Sequence, residues 1–289
     1  MKTRSVAYIT DAQELDMGGT IVKQPLPTQR VNAVDPFLLM HHFGPYEVAP
    51  GTDPLDVGPH PHRGFEPVTF LYRGGIRHRD SRDNTGILEG GDVQWMTAGR
   101  GIIHSERASR AFLETGGVME GIQLWINLPA NRKMIQPAYQ DIKSAQIPIW
   151  HAPDGLSSLR IVAGSFQGIK GIAQTQTPIE AFQLTIQKGG QIQIPLPSTH
   201  HALIYTLTGE VQLNQNWSYG AGKMVVFRQD GEGILINGLS DYSEVLVLSG
   251  EPLNEEVVQY GPFVMNTQTQ IMEAMRDYQM GKMGVYIEG

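Results

Sequence analysis

Short runs rich in Val, Ile, Phe, Tyr and Thr recur along the chain, and Gly, Pro, Asn or Asp punctuates them about every ten residues. Residues 68–72, 93–96, 121–126, 182–186, 203–207, 224–227 and 245–248 are the clearest runs. Strands this short, with turn signals between them, predict an all-β sandwich or barrel. Helical patterning is sparse. Its best instance is residues 267–280, where Asn266 or Thr267 can cap the first turn. Ile271, Met272, Met275 and Tyr278 are expected on one face there, and Gly281 supplies a stop.

The pattern repeats. Gly99-Arg100-Gly101-Ile102-Ile103-His104-Ser105-Glu106 aligns with Gly231-Glu232-Gly233-Ile234-Leu235-Ile236-Asn237-Gly238 at an offset of 132 residues. The same offset pairs Gly90 with Gly222, Val93 with Val225 and Trp95 with Phe227. Glycines and apolar positions agree in one register, so the chain reads as a duplicated β-domain. The seam is expected within residues 128–150, giving domains 1–135 and 136–289.

Composition narrows the chemistry. A length of 289 residues fits about two domains. The 33 glycines fit many turns. Cysteine is absent, which excludes disulfides, thiolate nucleophiles, iron–sulfur clusters and Cys-type zinc sites. Any metal must use the nine His and the carboxylates. With 22 basic and 29 acidic residues the net charge is −7, which argues against direct nucleic-acid binding. No apolar stretch of about 18 residues predicts a membrane span, and the N-terminus lacks a signal-type apolar run. The expected place is the cytoplasm and the expected state a monomer. No nucleophile elbow, Walker loop or dinucleotide fingerprint occurs.

Two short motifs carry the candidate chemistry. His60-Pro61-His62 sets two imidazoles on one side of an extended chain, because side chains at i and i+2 point the same way. His104-Ser105-Glu106 does the same with an imidazole and a carboxylate. If the two strands are neighbours, His60, His62, His104 and Glu106 form an N₃O set. Such a set suits Fe(II), Mn(II), Ni(II), Co(II), Cu(II) or Zn(II), with open positions for water, substrate or O2. In the second half Ile236 stands for His104 and Gly238 for Glu106, so one metal per chain is expected. Adjacent His200 and His201 face opposite ways and do not restore the set; they read as solvent or capping residues. His41 and His42 read as surface or packing residues, and His78 as part of the charged turn Arg77-His78-Arg79-Asp80. Glu66, on the face of His62, reads as an acceptor supporting a metal ligand.

These residues resemble the pirin family of bicupins. The resemblance rests on Pro59-His60-Pro61-His62-Arg63-Gly64-Phe65-Glu66-Pro67-Val68-Thr69 and on the run from Gly91-Asp92-Val93-Gln94-Trp95 to His104-Ser105-Glu106. Asp35-Pro36-Phe37-Leu38-Leu39, Gly250-Glu251-Pro252-Leu253 and Gly261-Pro262-Phe263-Val264-Met265-Asn266-Thr267 add to it. The resemblance implies two tandem antiparallel jelly-roll barrels with a C-terminal helix packing back. It also implies iron on His60, His62, His104 and Glu106, and oxidative cleavage of flavonols such as quercetin with O2. Glu106 would be the proton acceptor. The alternative it implies is an iron-dependent regulatory module that binds a protein partner, with catalysis incidental.

Overall fold

The structure, a computed structural model, describes residues 1–286. Nearly all its regular elements are strands; the described α-helices are Arg110–Thr115 and Gln268–Gln279. Among the described residues no helix is long and apolar enough to cross a membrane.

The chain forms two antiparallel barrels, each built from a seven-stranded and a four-stranded sheet. In the first barrel the large sheet runs Ala138–Ile142, Val93–Thr97, Phe65–Arg73, Gly117–Asn127, Phe37–Val48, Ile21–Leu26, Gln13–Asp16. Its small sheet runs Val57–His62, Ile102–Ala108, Gly75–Asp80, Thr85–Glu89. The second barrel repeats this order. Its large sheet runs Val6–Asp11, Lys223–Phe227, His201–Thr208, Ser243–Gly250, Ile179–Ile186, Ser157–Ala163, Ile149–His151. Its small sheet runs Gln191–Pro195, Gly233–Gly238, Glu210–Leu213, Ser218–Gly220. The repeat seen in the sequence is thus a repeat of topology.

The compact units are not two contiguous stretches. One comprises Met1–Glu14, Lys23–Leu38 and Ala145–Pro252; the other comprises Leu15–Val22, Leu39–Ser144 and the chain from Leu253. A single cut at residues 135/136 therefore differs from the observed grouping at both ends. The cause is edge pairing. The strand Val6–Asp11 closes the large sheet of the second barrel by pairing with Lys223–Phe227. The position it fills is held in the first barrel by Ala138–Ile142, which pairs with Val93–Thr97. At the other end of the chain, Ile271 and Ala274 of the C-terminal helix pack with Ile103, Phe263, Met265 and Met283.

Alternation explains the second barrel's core. Ile192 and Ile194, Ile234 and Ile236, and Val211 and Leu213 point inward from the small sheet. They meet Phe182, Leu184, Ile204, Val225, Phe227 and Val247 from the large one. Each such burial contributes roughly 1.5–3 kcal/mol before entropy is counted. The first barrel has a comparable apolar cluster of Phe43, Leu71, Ile76, Leu88, Ala108 and Met119. Unlike the second barrel, it also buries His62, His78 and His104.

The helix Gln268–Gln279 starts where the capping signal lies. Thr267 accepts from the Gln270 amide, and the Gln270 side chain returns a bond to the Thr267 N–H. Such a cap is worth about 1 kcal/mol. Ile271 and Ala274 form the buried stripe. Met272, expected on that face, is 64% exposed. One position beyond Ile271 turns about 100° away from the stripe.

Candidate metal centre

His60, His62, His104 and Glu106 come from two strands that are hydrogen-bonded neighbours. Val57–His62 pairs antiparallel with Ile102–Ala108, with His62 opposite Ile102 and His104 opposite His60. Cross-strand partners stand about 5 Å apart, so the two motifs are brought together by register alone. The ring centroids of His60 and His104 lie 4.3 Å apart, those of His60 and His62 4.7 Å, and those of His62 and His104 4.8 Å. One ligand atom from each of these three rings lies within 4.8 Å of the others.

The rings are oriented from behind. His60 Nδ1 lies 2.9 Å from the Gly58 carbonyl, which fixes Nδ1 as the donor and leaves the Nε2 lone pair free. The Pro262 carbonyl holds the His62 ring. His62 Nδ1 and both nitrogens of His104 are buried without a hydrogen-bond partner. A buried nitrogen with no acceptor or donor is costly unless something else takes its lone pair. Burial holds all three imidazoles below their usual pKa, with His62 and His104 depressed furthest. They are therefore neutral and able to bind a cation. The donor set fits a divalent metal.

The turn after His62 is held by backbone contacts. Gly64 has φ +89°, and a Cβ there would sit 1.9 Å from the Val264 carbonyl, so only glycine fits. Lys133 Nζ donates to the Gly64 carbonyl (2.8 Å), Asn127 Oδ1 (2.6 Å) and the Val264 carbonyl (3.0 Å). Arg63 donates to the Arg100 carbonyl (2.7 Å) and pairs with Asp277 at 3.1 Å. On the other flank His62 packs edge-on against Phe65 and Trp125.

Glu106 lies on the inner face two residues past His104 but outside the compact three-imidazole group. A register shift between the two sets Glu106 opposite Val57 instead of Gly58. Burial pushes its carboxyl up to about 7. The Thr69 hydroxyl lies 3.5 Å from Glu106 Oε1 and donates to Gln123 Oε1 at 2.7 Å. Glu66 is fully buried and accepts from the Thr97 hydroxyl at 2.7 Å.

The other histidines divide. His42 is buried against Glu120 at 3.1 Å, and Arg73 pairs with the second oxygen of that carboxylate. This is packing with charge compensation. His200, expected in solvent or at a cap, is 5% exposed, with Nδ1 3.2 Å from the Ser249 hydroxyl. His201 Nδ1 lies 2.9 Å from the Asp35 carbonyl. His78 departs most from expectation. It lies in the strand Gly75–Asp80, not in a turn, and is 1% exposed. Its ring is 5.1 Å from that of His104 and 4.8 Å from that of Tyr139. The available signal was period-two alternation: Arg77 and Arg79 face out while Ile76, His78 and Asp80 face in.

Comparisons with known proteins point to one family. A family model described as Pirin matches residues 19–126, and one described as the Pirin C-terminal cupin domain matches residues 181–284. Pirin-like protein 2 of Arabidopsis thaliana is 39% identical, covering 92% of this chain and 81% of its own. Pirin of Rattus norvegicus is 35% identical, covering 92% and 88%. The crystal structure of a quercetin 2,3-dioxygenase from Acinetobacter baumannii superposes with a TM-score of 0.93 at 36% identity, covering 99% of this chain and 100% of that one.

Proposed function

The chain belongs to the pirin family, and we propose that it is a metal-dependent dioxygenase that cleaves flavonols such as quercetin with O2. His60, His62, His104 and Glu106 are the proposed ligands. The observation that carries this reading is the convergence of three neutral imidazoles inside one barrel, two of them, His62 and His104, buried with unpartnered nitrogens. A divalent metal, Fe(II) in the first instance, supplies Lewis acidity and redox chemistry toward O2 when bound.

The chain's own residues do the rest. The neutral imidazoles offer lone pairs at neutral pH because burial disfavours their protonation. Glu106, two residues past His104 on the inner face of the strand, would receive the proton of the flavonol 3-hydroxyl on a carboxylate oxygen. The Thr69 hydroxyl, which donates to Gln123, lies 3.5 Å from that carboxylate. Trp125, half-buried beside His62 and backed by Phe65 at 4.2 Å, offers an apolar surface suited to a planar aromatic ring.

The test is metal analysis of protein purified without chelator, paired with oxygen uptake on quercetin. The expected result is about one metal per chain and saturable uptake, both lost in His104→Ala. Full uptake by His104→Ala without bound metal defeats the reading. Metal-dependent capture of a protein partner, with no turnover by the loaded chain, moves the assignment to the regulatory alternative.

A further inference from the structure

His78 has no role in the set proposed above, yet its ring lies 5.1 Å from that of His104. In the pairing of Ile102–Ala108 with Gly75–Asp80, His78 stands opposite Glu106 and Asp80 opposite His104. Asp80 is accounted for. It accepts from the Arg82 and Asn84 amides and from the Asn84 side chain, closing the turn that follows. His78 is not accounted for, because its Nε2 is buried with no hydrogen-bond partner. The Tyr139 ring covers its other side, at 4.8 Å and 44°. Asp141 and Asp80 are the carboxylates whose charge acts on it, and Glu106 stands opposite it on the neighbouring strand.

The second barrel shows what this position becomes without a site. There Gly238 pairs with Val211 and Ile236 with Leu213, so Val211 corresponds to His78 and Leu213 to Asp80. Val211 is fully buried in the apolar core. The fold therefore accepts an aliphatic residue here, and an unpartnered imidazole is not a packing requirement. Nor is His78 one of the three rings whose ligand atoms cluster. A buried polar atom without a partner, on a ring packed against His104 but outside the clustered set, is placed to meet a ligand.

We propose that His78 is a substrate-orienting residue whose Nε2 hydrogen-bonds an oxygen of a chelating phenolate or enolate seated beside His104 and Glu106. The proposal rests on the reading of the site as a metal centre for such a substrate. Its test uses the full metal-loaded chain under anaerobic conditions. Quercetin and the smaller chelator 4-nitrocatechol are titrated by their visible bands, with metal per chain measured in parallel. His78→Phe keeps the ring and is expected to keep its metal while weakening both ligands about tenfold. His78→Gln, which restores a polar atom at similar reach, is expected to bind within about threefold of wild type. Equal affinities in His78→Phe and wild type overturn the proposal. Loss of metal from His78→Phe also overturns it, since His78 would then be a ligand. A wild-type chain that binds 4-nitrocatechol but no quercetin defeats the flavonol reading instead, and the nitrocatechol comparison still decides the role of His78.

Discussion

The two barrels share one strand order and, as far as His104 and Ile236, one register, and they differ in what fills them. In the first, His62 pairs with Ile102 and His60 with His104; in the second, Ile194 pairs with Ile234 and Ile192 with Ile236. At the offset of 132 residues, three histidines become three isoleucines. Glu106 becomes Gly238, and along the next strand His78 and Asp80 become Val211 and Leu213. The backbone is indifferent to the exchange. A barrel with an aliphatic filling needs nothing more to be stable, whereas one with buried imidazoles carries unsatisfied polar atoms. The difference separates two uses of the same scaffold, one for packing and one for chemistry.

Truncating equivalent residues should break the two barrels differently. His104→Ala is expected to reduce retained metal and oxygen uptake by about a hundredfold or more. Ile236→Ala removes a buried aliphatic side chain from the matching position. It is expected to cost about 2–5 kcal/mol of unfolding free energy with metal content unchanged. Urea denaturation and metal analysis of both variants check the pair. Metal loss from Ile236→Ala would mean that the barrels do not divide these roles.

The converse experiment turns the first barrel into the second. The triple variant His60→Ile, His62→Ile, His104→Ile should bind no metal. With chelator present it should be more stable than wild type by about 1–3 kcal/mol, because buried unpaired nitrogens are replaced by aliphatic carbon.

Acid sharpens the same contrast. Burial keeps His60, His62 and His104 neutral in the native chain where the unfolded chain takes up protons, below about 6.5. The stability these residues contribute is full above 6.5 and is lost as pH falls from there. Glu106 acts the other way. Its native carboxyl, at about 7, binds more protons than the unfolded one between 4.5 and 7, so its contribution is full below 4.5 and lost as pH rises through 7. The chelator-treated triple variant keeps only the second effect. Between pH 7 and 4.5 its urea midpoint should fall less than wild type's, or rise. Parallel curves for the two chains would show that the imidazoles are not held neutral by burial.

Much of this was legible in the sequence because it is local. Runs rich in β-branched and aromatic residues, set off by turn residues, marked the strands of both barrels, Asn266 or Thr267 marked the start of the helix, and the Gly99–Glu106 pattern marked the repeat. What was hidden depends on distant pairing. Nothing within Val6–Asp11 says that its partner is Lys223–Phe227, more than 200 residues on. His78 was hidden for a different reason. Its neighbours Arg77, Arg79 and Asp80 make the segment look like a charged turn, although charges on alternate residues are what an outward strand face requires.

The chain termini supply the smallest and most specific contrast. The glycines that marked the repeat are where a terminus lies against each barrel. In the second barrel Thr3 and Arg4 crowd Gly231, the Arg4 amide donates to the Gly233 carbonyl (2.8 Å), and its guanidinium donates to the His200 carbonyl (2.7 Å). In the first barrel Met283 packs on Gly101, where a Cβ would meet Met283 Cγ at 2.7 Å. Ser81 donates to the Met283 carbonyl (2.8 Å), and the Tyr286 and Ser105 hydroxyls are 2.6 Å apart. Ser105 lies between His104 and Glu106, so this contact grips the outer face of the strand whose inner face carries both. Tyr286→Phe removes one part-buried hydrogen bond and should cost about 0.5–1.5 kcal/mol. Because the lost contact steadies the ligand-bearing strand, metal should leave that variant a few times faster under chelator challenge. Arg4→Lys loosens the terminus on the other barrel and should change stability without changing that rate. Equal metal-loss rates in Tyr286→Phe and wild type would make the two termini equivalent braces, and the link from the C-terminal segment to the site would fall.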